Sequence, residues 1–201
     1  MTAAGIPQNL LSRAPELVAI GASAGGFDAL LFLLEGQRED SRLGIVAVLH
    51  LPATHEGSLA DVFRSRTGMR VVEAQAHAPV EPGCVHFAPA GYHLLVENDR
   101  TFSLSCDPPV AFSRPSIDVL FESFGDACGP LGAAMLLTGA NDDGAAGLAR
   151  VHAAGGIALV QDPAEAPYPT MPEAAIARGQ PDAVLPLAQL RALLQHWGGR
   201  Q

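Results

Sequence analysis

The chain has 201 residues, of which 48% are hydrophobic and only 16% charged, a balance that suits one well-packed globular domain and argues against general disorder. Its formal net charge is −9 and no Lys/Arg cluster stands out, so it repels a phosphate backbone and nucleic acid is not an expected partner. Apolar runs such as VAIGA and IVAVL are far too short to cross a bilayer, so no membrane insertion is expected.

Residues 1–16 contain Gly5, Pro7 and Pro15 without a clear period and read as an N-terminal tail to a domain over 17–197. LVAIGA (17–22) is a short apolar run ending in small residues, which predicts a buried strand. GFDALLFLLEG (26–36) predicts a helix stopping at Gly36. IVAVLH (45–50) is the next strand and SLADVFRSR (58–66) the next helix. HLLVE (93–97) and TFSLSC (101–106) flank Asn98, Asp99 and Arg100 and predict a β-hairpin. Pro115 is expected to open a helix over 116–129. A strand at 133–139, a small-residue helix at 144–156, a strand at 157–162 and helices at 171–179 and 186–197 complete the pattern. Alternating strands and helices predict an α/β fold: a doubly wound, mostly parallel sheet flanked by helices, with the hairpin as an antiparallel annex.

Cys84, Cys106 and Cys128 form no C-x-x-C pair, and their odd count argues against a disulfide framework or a zinc site. No basic region followed by an apolar stretch marks a secretory signal, so a cytoplasmic location with reduced thiols is expected.

Gly21-Ala22-Ser23-Ala24-Gly25 matches G-x-S-x-G and lies between a strand and a helix, where that motif lifts a serine oxygen above the sheet edge. The helix start adds free N–H groups and a positive dipole end, able to stabilise an oxyanion. Two other readings compete. A dinucleotide loop would need glycine where Ser23 stands and an acidic residue ending the next strand, which ends in His50. A plain structural turn with a capping serine also fits, whereas a P-loop is excluded because no G-K-[ST] follows.

A serine nucleophile needs a base. His50 closes a strand at its C-terminal end, where functional groups gather in parallel sheets, and His55 in the loop beyond is the second choice. His152 and His196 lie within helices and read as surface or structural residues, and His93 at the hairpin start reads as a residue that lines the site without taking part in the chemistry. The imidazole also needs an anion to fix its tautomer. Asn141-Asp142-Asp143-Gly144 offers two carboxylates after a strand, with a helix cap as the alternative role for either. Asp162 precedes Pro163 and reads as a turn residue. The order Ser, His, Asp differs from the Ser, Asp/Glu, His of the α/β-hydrolases.

Six motifs in order resemble the protein-glutamate methylesterases of bacterial chemotaxis (CheB). They are Gly21 through Gly26; His50-Leu51-Pro52; Phe87-Ala88-Pro89-Ala90-Gly91 with His93; Arg114-Pro115-Ser116-Ile117-Asp118; Leu137-Thr138-Gly139 through Asp143-Gly144-Ala145-Ala146-Gly147; and Met171-Pro172-Glu173-Ala174-Ala175. The similarity runs from about Leu17 to Leu194. The resemblance implies a hydrolase that removes methyl groups from glutamate methyl esters on chemoreceptor helices, or on another methylated signalling protein, and in many members deamidates receptor glutamines. It implies Ser23 as nucleophile, His50 as base and Asp143, rather than Asp142, as orienting acid. The oxyanion donors would be backbone N–H groups near Ala24 and Ala140, and no metal or organic cofactor is implied. Where many members have T-G-M-G, this chain has Thr138-Gly139-Ala140-Asn141. With about 16 residues before the first strand, the chain reads as a stand-alone catalytic domain. It is then expected to act without a phospho-donor, with any control coming from a separate regulatory protein. A non-catalytic binding module on the same fold and a small-molecule carboxylesterase are the alternatives.

Overall fold

The computed structural model describes residues 5–50, 59–179 and 181–199. The elements in chain order are α1 (Gln8–Leu11), β1 (Leu17–Ala22), α2 (Gly26–Leu34), β2 (Gly44–Leu49), α3 (Leu59–Arg64), β3 (Arg70–Glu73) and β4 (Cys84–Phe87). Then come β5 (His93–Val96), β6 (Phe102–Ser105), α4 (Ile117–Cys128), a short 3-10 turn, β7 (Gly132–Leu136), α5 (Ala145–Ala153), β8 (Ile157–Gln161), α6 (Thr170–Arg178), β9 (Ala183–Leu185) and α7 (Leu187–Gly198). Among the described residues, seven parallel strands form one sheet in the order β3-β4-β2-β1-β7-β8-β9.

Every residue of β1, β2, β4, β7 and β8 is buried, as strands covered on both faces require. Side-chain alternation divides β1 between two cores. Val18, Ile20 and Ala22 join α2, α3 and α7 on one face, while Leu17 and Ala19 join α4, α5 and α6 on the other. Leu30, Leu33, Leu193 and Trp197 are fully buried in the first core, and burying each such side chain contributes roughly 1.5–3 kcal/mol. In α4 the buried positions Ile117, Leu120, Phe121, Phe124 and Cys128 follow the helical period and face the second core.

The connection after β1 passes along one face to β2, and the connection after β7 passes along the other to β8. The chain therefore parts in opposite directions from two adjacent strands. The crevice above their C-terminal ends is the switch point where sheets of this kind bind ligands.

β5 and β6 pair antiparallel as a two-stranded sheet of their own, the hairpin annex expected from the sequence. It packs on α4, with Leu94, Val96 and Phe102 buried against Phe121 and Phe124. Pro115 does not open α4; Ser116 is the N-cap and its side chain accepts the Val119 N–H. The helix expected to end at Gly36 ends at Leu34, because Glu35 turns to extended backbone. Strands β3, β4 and β9 and helix α1 were not anticipated. Part of the expected tail is docked, since Ile6 and Leu10 are buried and Trp197 Nε1 donates to the Leu10 carbonyl.

Candidate active site

β1 ends at Ala22, and the backbone must turn within three residues to start α2. Gly25 makes this possible with φ +73°, a left-handed conformation that residues bearing a Cβ rarely adopt. The turn is closed by Gly26 N–H donating to the Ser23 carbonyl at 2.7 Å. On its other side, Ser23 N–H donates to the Thr138 carbonyl at 3.0 Å, tying the end of β1 to the loop after β7. Ser23 is half-buried at the head of a nine-residue helix.

Thr138 organises this corner; the sequence places it in the Leu137-Thr138-Gly139 motif but gives it no role of its own. Its buried hydroxyl accepts the Tyr168 N–H at 3.0 Å and lies within donating distance of the Ala24 carbonyl (3.0 Å) and the Tyr168 carbonyl (3.2 Å). Its N–H donates to the side chain of buried Gln161 at 2.8 Å. Ala24 and Ala140 flank Ser23 and Thr138, and among the described residues neither N–H has an acceptor. Both are therefore free to donate to a bound oxygen.

His50 follows β2 directly. Its N–H donates to the Ala22 carbonyl at 3.0 Å, so the ladder continues and Ser23 and His50 sit on neighbouring chains about 4.8 Å apart. The ring approaches the carboxylate of Asp143, with Nε2 3.0 Å from Oδ2. The ring N–H is not aimed along that line, so the approach is an electrostatic contact rather than an aligned hydrogen bond. Such contacts commonly tighten only when substrate binds. The other ring nitrogen, Nδ1, lies 3.5 Å from Ser113 Oγ.

Asp143 is fully buried in the loop that leaves β7. Its carboxylate accepts the Ser116 hydroxyl (2.8 Å), the Ile117 N–H (2.8 Å) and the Asp118 N–H (3.0 Å) at the start of α4. Burial alone would raise its pKa. The neighbouring His50 ring, the two backbone N–H groups and the Ser116 hydroxyl outweigh that, and the carboxyl sits below its usual value. Gly144 turns the chain into α5 with φ +92°, and a Cβ there would lie 2.6 Å from both Ile117 and Leu136.

The structure thus brings Ser23, His50 and Asp143 to the C-terminal ends of three adjacent strands. Asp142 is exposed one residue away, and its carbonyl accepts the Ala145 N–H. His93 is buried in structural bonds: Nδ1 accepts the Ser116 N–H and Nε2–H donates to the Pro108 carbonyl. Asp162 caps a turn through Ala164 N–H, His152 pairs with Asp182 on the surface, and His196 bonds the Leu11 carbonyl. His55, with Leu51 and Pro52, lies outside the described residues. Ser113 carried no sequence signal, whereas Ser116 stood inside a quoted motif but without a role. Among the described residues, Glu81, Cys84 and His86 lie close enough to share an ion, but Arg70 already pairs with Glu81 there.

A family model described as CheB methylesterase matches residues 18–194. The chain belongs to the CheB methylesterase family. A CheB-family relative from Hahella chejuensis, named protein-glutamate methylesterase/protein-glutamine glutaminase 1, is 42% identical over 95% of this chain, which spans 54% of that protein. A putative protein-glutamate methylesterase/protein-glutamine glutaminase from Leptospira interrogans is 39% identical over 89% of this chain and 92% of its own length. The crystal structure of the Thermotoga maritima CheB methylesterase catalytic domain superimposes with a TM-score of 0.84 at 29% identity, covering 90% of this chain and 98% of that one. The parallel sheet with its separate hairpin is therefore the fold of a CheB catalytic domain.

Proposed function

We propose that this chain hydrolyses glutamate methyl esters on methylated chemoreceptors, with Ser23 as nucleophile, His50 as base and Asp143 as the acid that orients the imidazole. The carrying observation is the fully buried Asp143 carboxylate 3.0 Å from a His50 that stands beside Ser23. The relatives named protein-glutamate methylesterase/protein-glutamine glutaminase support a protein glutamate ester as substrate, and the activity on glutamine would follow the same steps with ammonia in place of methanol.

Ser23 Oγ attacks the ester carbonyl and its proton passes to His50. Because Nε2 faces Asp143, the nitrogen left to take that proton is Nδ1, the reverse of the usual assignment in serine proteases. Negative charge on the tetrahedral oxygen is met by the free N–H groups of Ala24 and Ala140 and by the positive end of α2. Collapse expels methoxide, which takes the proton back from Nδ1 and leaves as methanol. Water, deprotonated by the same nitrogen, then attacks the acyl-enzyme; the proton returns from Nδ1 to the departing Ser23 oxygen, and the glutamate is freed. Each step uses only these groups and water. No helix among the described residues is long and apolar enough to cross a membrane, and we place the protein in the cytoplasm, where receptor signalling domains and any separate regulatory protein would meet it.

The test is methanol release from methylated receptor membranes, together with labelling by a serine-directed fluorophosphonate. Ser23→Ala is expected to abolish labelling and to lower turnover by roughly three to six orders of magnitude. Unchanged turnover in a clean Ser23→Ala preparation would falsify the mechanism. Labelling of the wild type without methanol release would point to a small-molecule esterase instead.

A further inference from the structure

The segment between β6 and α4 ends in a two-residue turn whose base touches the candidate base. Val110 and Ser113 exchange both backbone hydrogen bonds, at 3.1 and 2.8 Å, and Ser113 Oγ lies 3.5 Å from His50 Nδ1. The two residues between them, Ala111 and Phe112, have φ of +47° and +63°. Positive φ at both central positions is the pattern of a type I′ turn, for which Asn-Gly is the favoured pair. Ala-Phe is a costly choice there, because a Cβ crowds the backbone in the left-handed region.

The ring this turn carries is held entirely in water. Phe112 is 104% exposed, whereas no other exposed large hydrophobic residue among those described exceeds 48%. The base of the segment is nevertheless fastened. Arg114 donates to the carbonyls of Cys106 and Asp107 at 2.9 and 3.1 Å, and His93 Nε2–H donates to the Pro108 carbonyl. A strained turn, pinned at its root, thus carries an exposed aromatic ring on the residue next in sequence to Ser113, which meets the candidate base. Strain of this kind persists where the surrounding structure enforces it, and it clusters at ligand contacts.

We infer that Phe112 is a specificity-determining residue that packs on an apolar side chain of the protein substrate flanking the esterified glutamate. This rests on the proposed action on a protein ester. Because Ser113 adjoins His50, the 110–113 turn borders the proposed site, where a protein chain flanking the ester has residues to offer it and a small ester has none. An exposed aromatic with few rotatable bonds gives contact area at little entropic cost, as anchor residues do.

The experiment measures kcat and KM for methanol release from methylated receptor membranes and for hydrolysis of p-nitrophenyl acetate. It compares wild type, Phe112→Gly and Phe112→Leu. Glycine removes the ring while suiting the left-handed backbone, so the turn itself is retained. Phe112→Gly is expected to raise the receptor KM about tenfold with kcat little changed, lowering the receptor-to-acetate ratio of kcat/KM by the same factor. Phe112→Leu, which keeps most of the apolar area, is expected to recover most of that ratio. An unchanged ratio in Phe112→Gly, or equal loss on both substrates, overturns the inference and leaves the proposed function standing. A wild type that hydrolyses the acetate but releases no methanol from receptors overturns both.

Discussion

At the scale of single residues, the two aspartates of the acid loop differ in everything but sequence. Asp143 has no exposed surface and three donors besides His50, while Asp142 stands in solvent. A buried carboxylate must have its charge compensated, and Ser116 and the first N–H groups of α4 do that independently of the imidazole. Asp143→Asn keeps the shape but removes the charge and favours the wrong tautomer, a change that costs on the order of ten-thousand-fold in a known triad. Asp142→Asn is expected to leave turnover within a few-fold and to change stability by about 1 kcal/mol at most. Steady-state kinetics on both variants, with melting curves as the folding control, check this. If Asp142→Asn is the inactive one, the acid has been assigned one residue too late.

At the scale of elements, the loops after β1 and β7 are built alike. Each leaves a central strand, passes through a left-handed glycine and enters a helix, and each carries one candidate site residue on the way. Gly144 is the tighter of the two. A Cβ there would overlap Ile117, whose N–H holds Asp143, as well as Leu136. Gly144→Ala is expected to lose at least about 1–3 kcal/mol from backbone strain alone, with further loss from the overlap. Turnover should fall as well, because relief requires α4 and its donors to move. Gly91 has a similar φ of +80° but open space around its Cβ position, so Gly91→Ala isolates the backbone contribution. Urea unfolding of the two variants checks the comparison, and equal losses would mean that the overlap at Gly144 relaxes freely.

Across the whole molecule, two buried groups make stability fall with acid in separate windows. Burial, helped by the charge of Arg70, holds the His86 pKa below its usual value, against the hydrogen bond to the Ile45 carbonyl. The unfolded chain then takes up that proton first, so stability is complete above about pH 6.5 and declines as pH falls toward the folded value. Asp143 acts lower. Its folded pKa is depressed, so its contribution is present above the unfolded value of about 3.9 and is lost as pH falls through the folded one. The urea midpoint of the wild type should therefore drop between about pH 7 and 5, and His86→Gln should flatten that limb while keeping the one below about pH 4. Parallel profiles for the two proteins over pH 7 to 5 would remove His86 from the account.

The central strands β1, β2, β7 and β8 were legible in the sequence because a strand covered on both faces must be apolar throughout, and short apolar runs between glycines have few other uses. Helices α2, α5, α6 and α7 announced themselves by period and by glycine stops in the same way. Strands β3 and β9 escaped because edge strands need only half a buried face, and their RVVE and AVL segments are too short to show an alternation. Strand β4 escaped because His86 interrupts its apolar run, its ring nitrogen bonded to a carbonyl of the neighbouring strand. Ser23 and His50 could be read as candidates from their places at strand ends. Residue types alone left Asp142 and Asp143 open, since adjacent carboxylates in a polar loop look alike until packing buries one of them. Thr138, Ser113 and Ser116 gained their roles from partners 114, 63 and 27 residues away in the chain. A local pattern records which segments must be buried, but not which distant donor will face a given carboxylate. That pairing exists only once β1, β2 and β7 lie side by side and α4 closes over their ends.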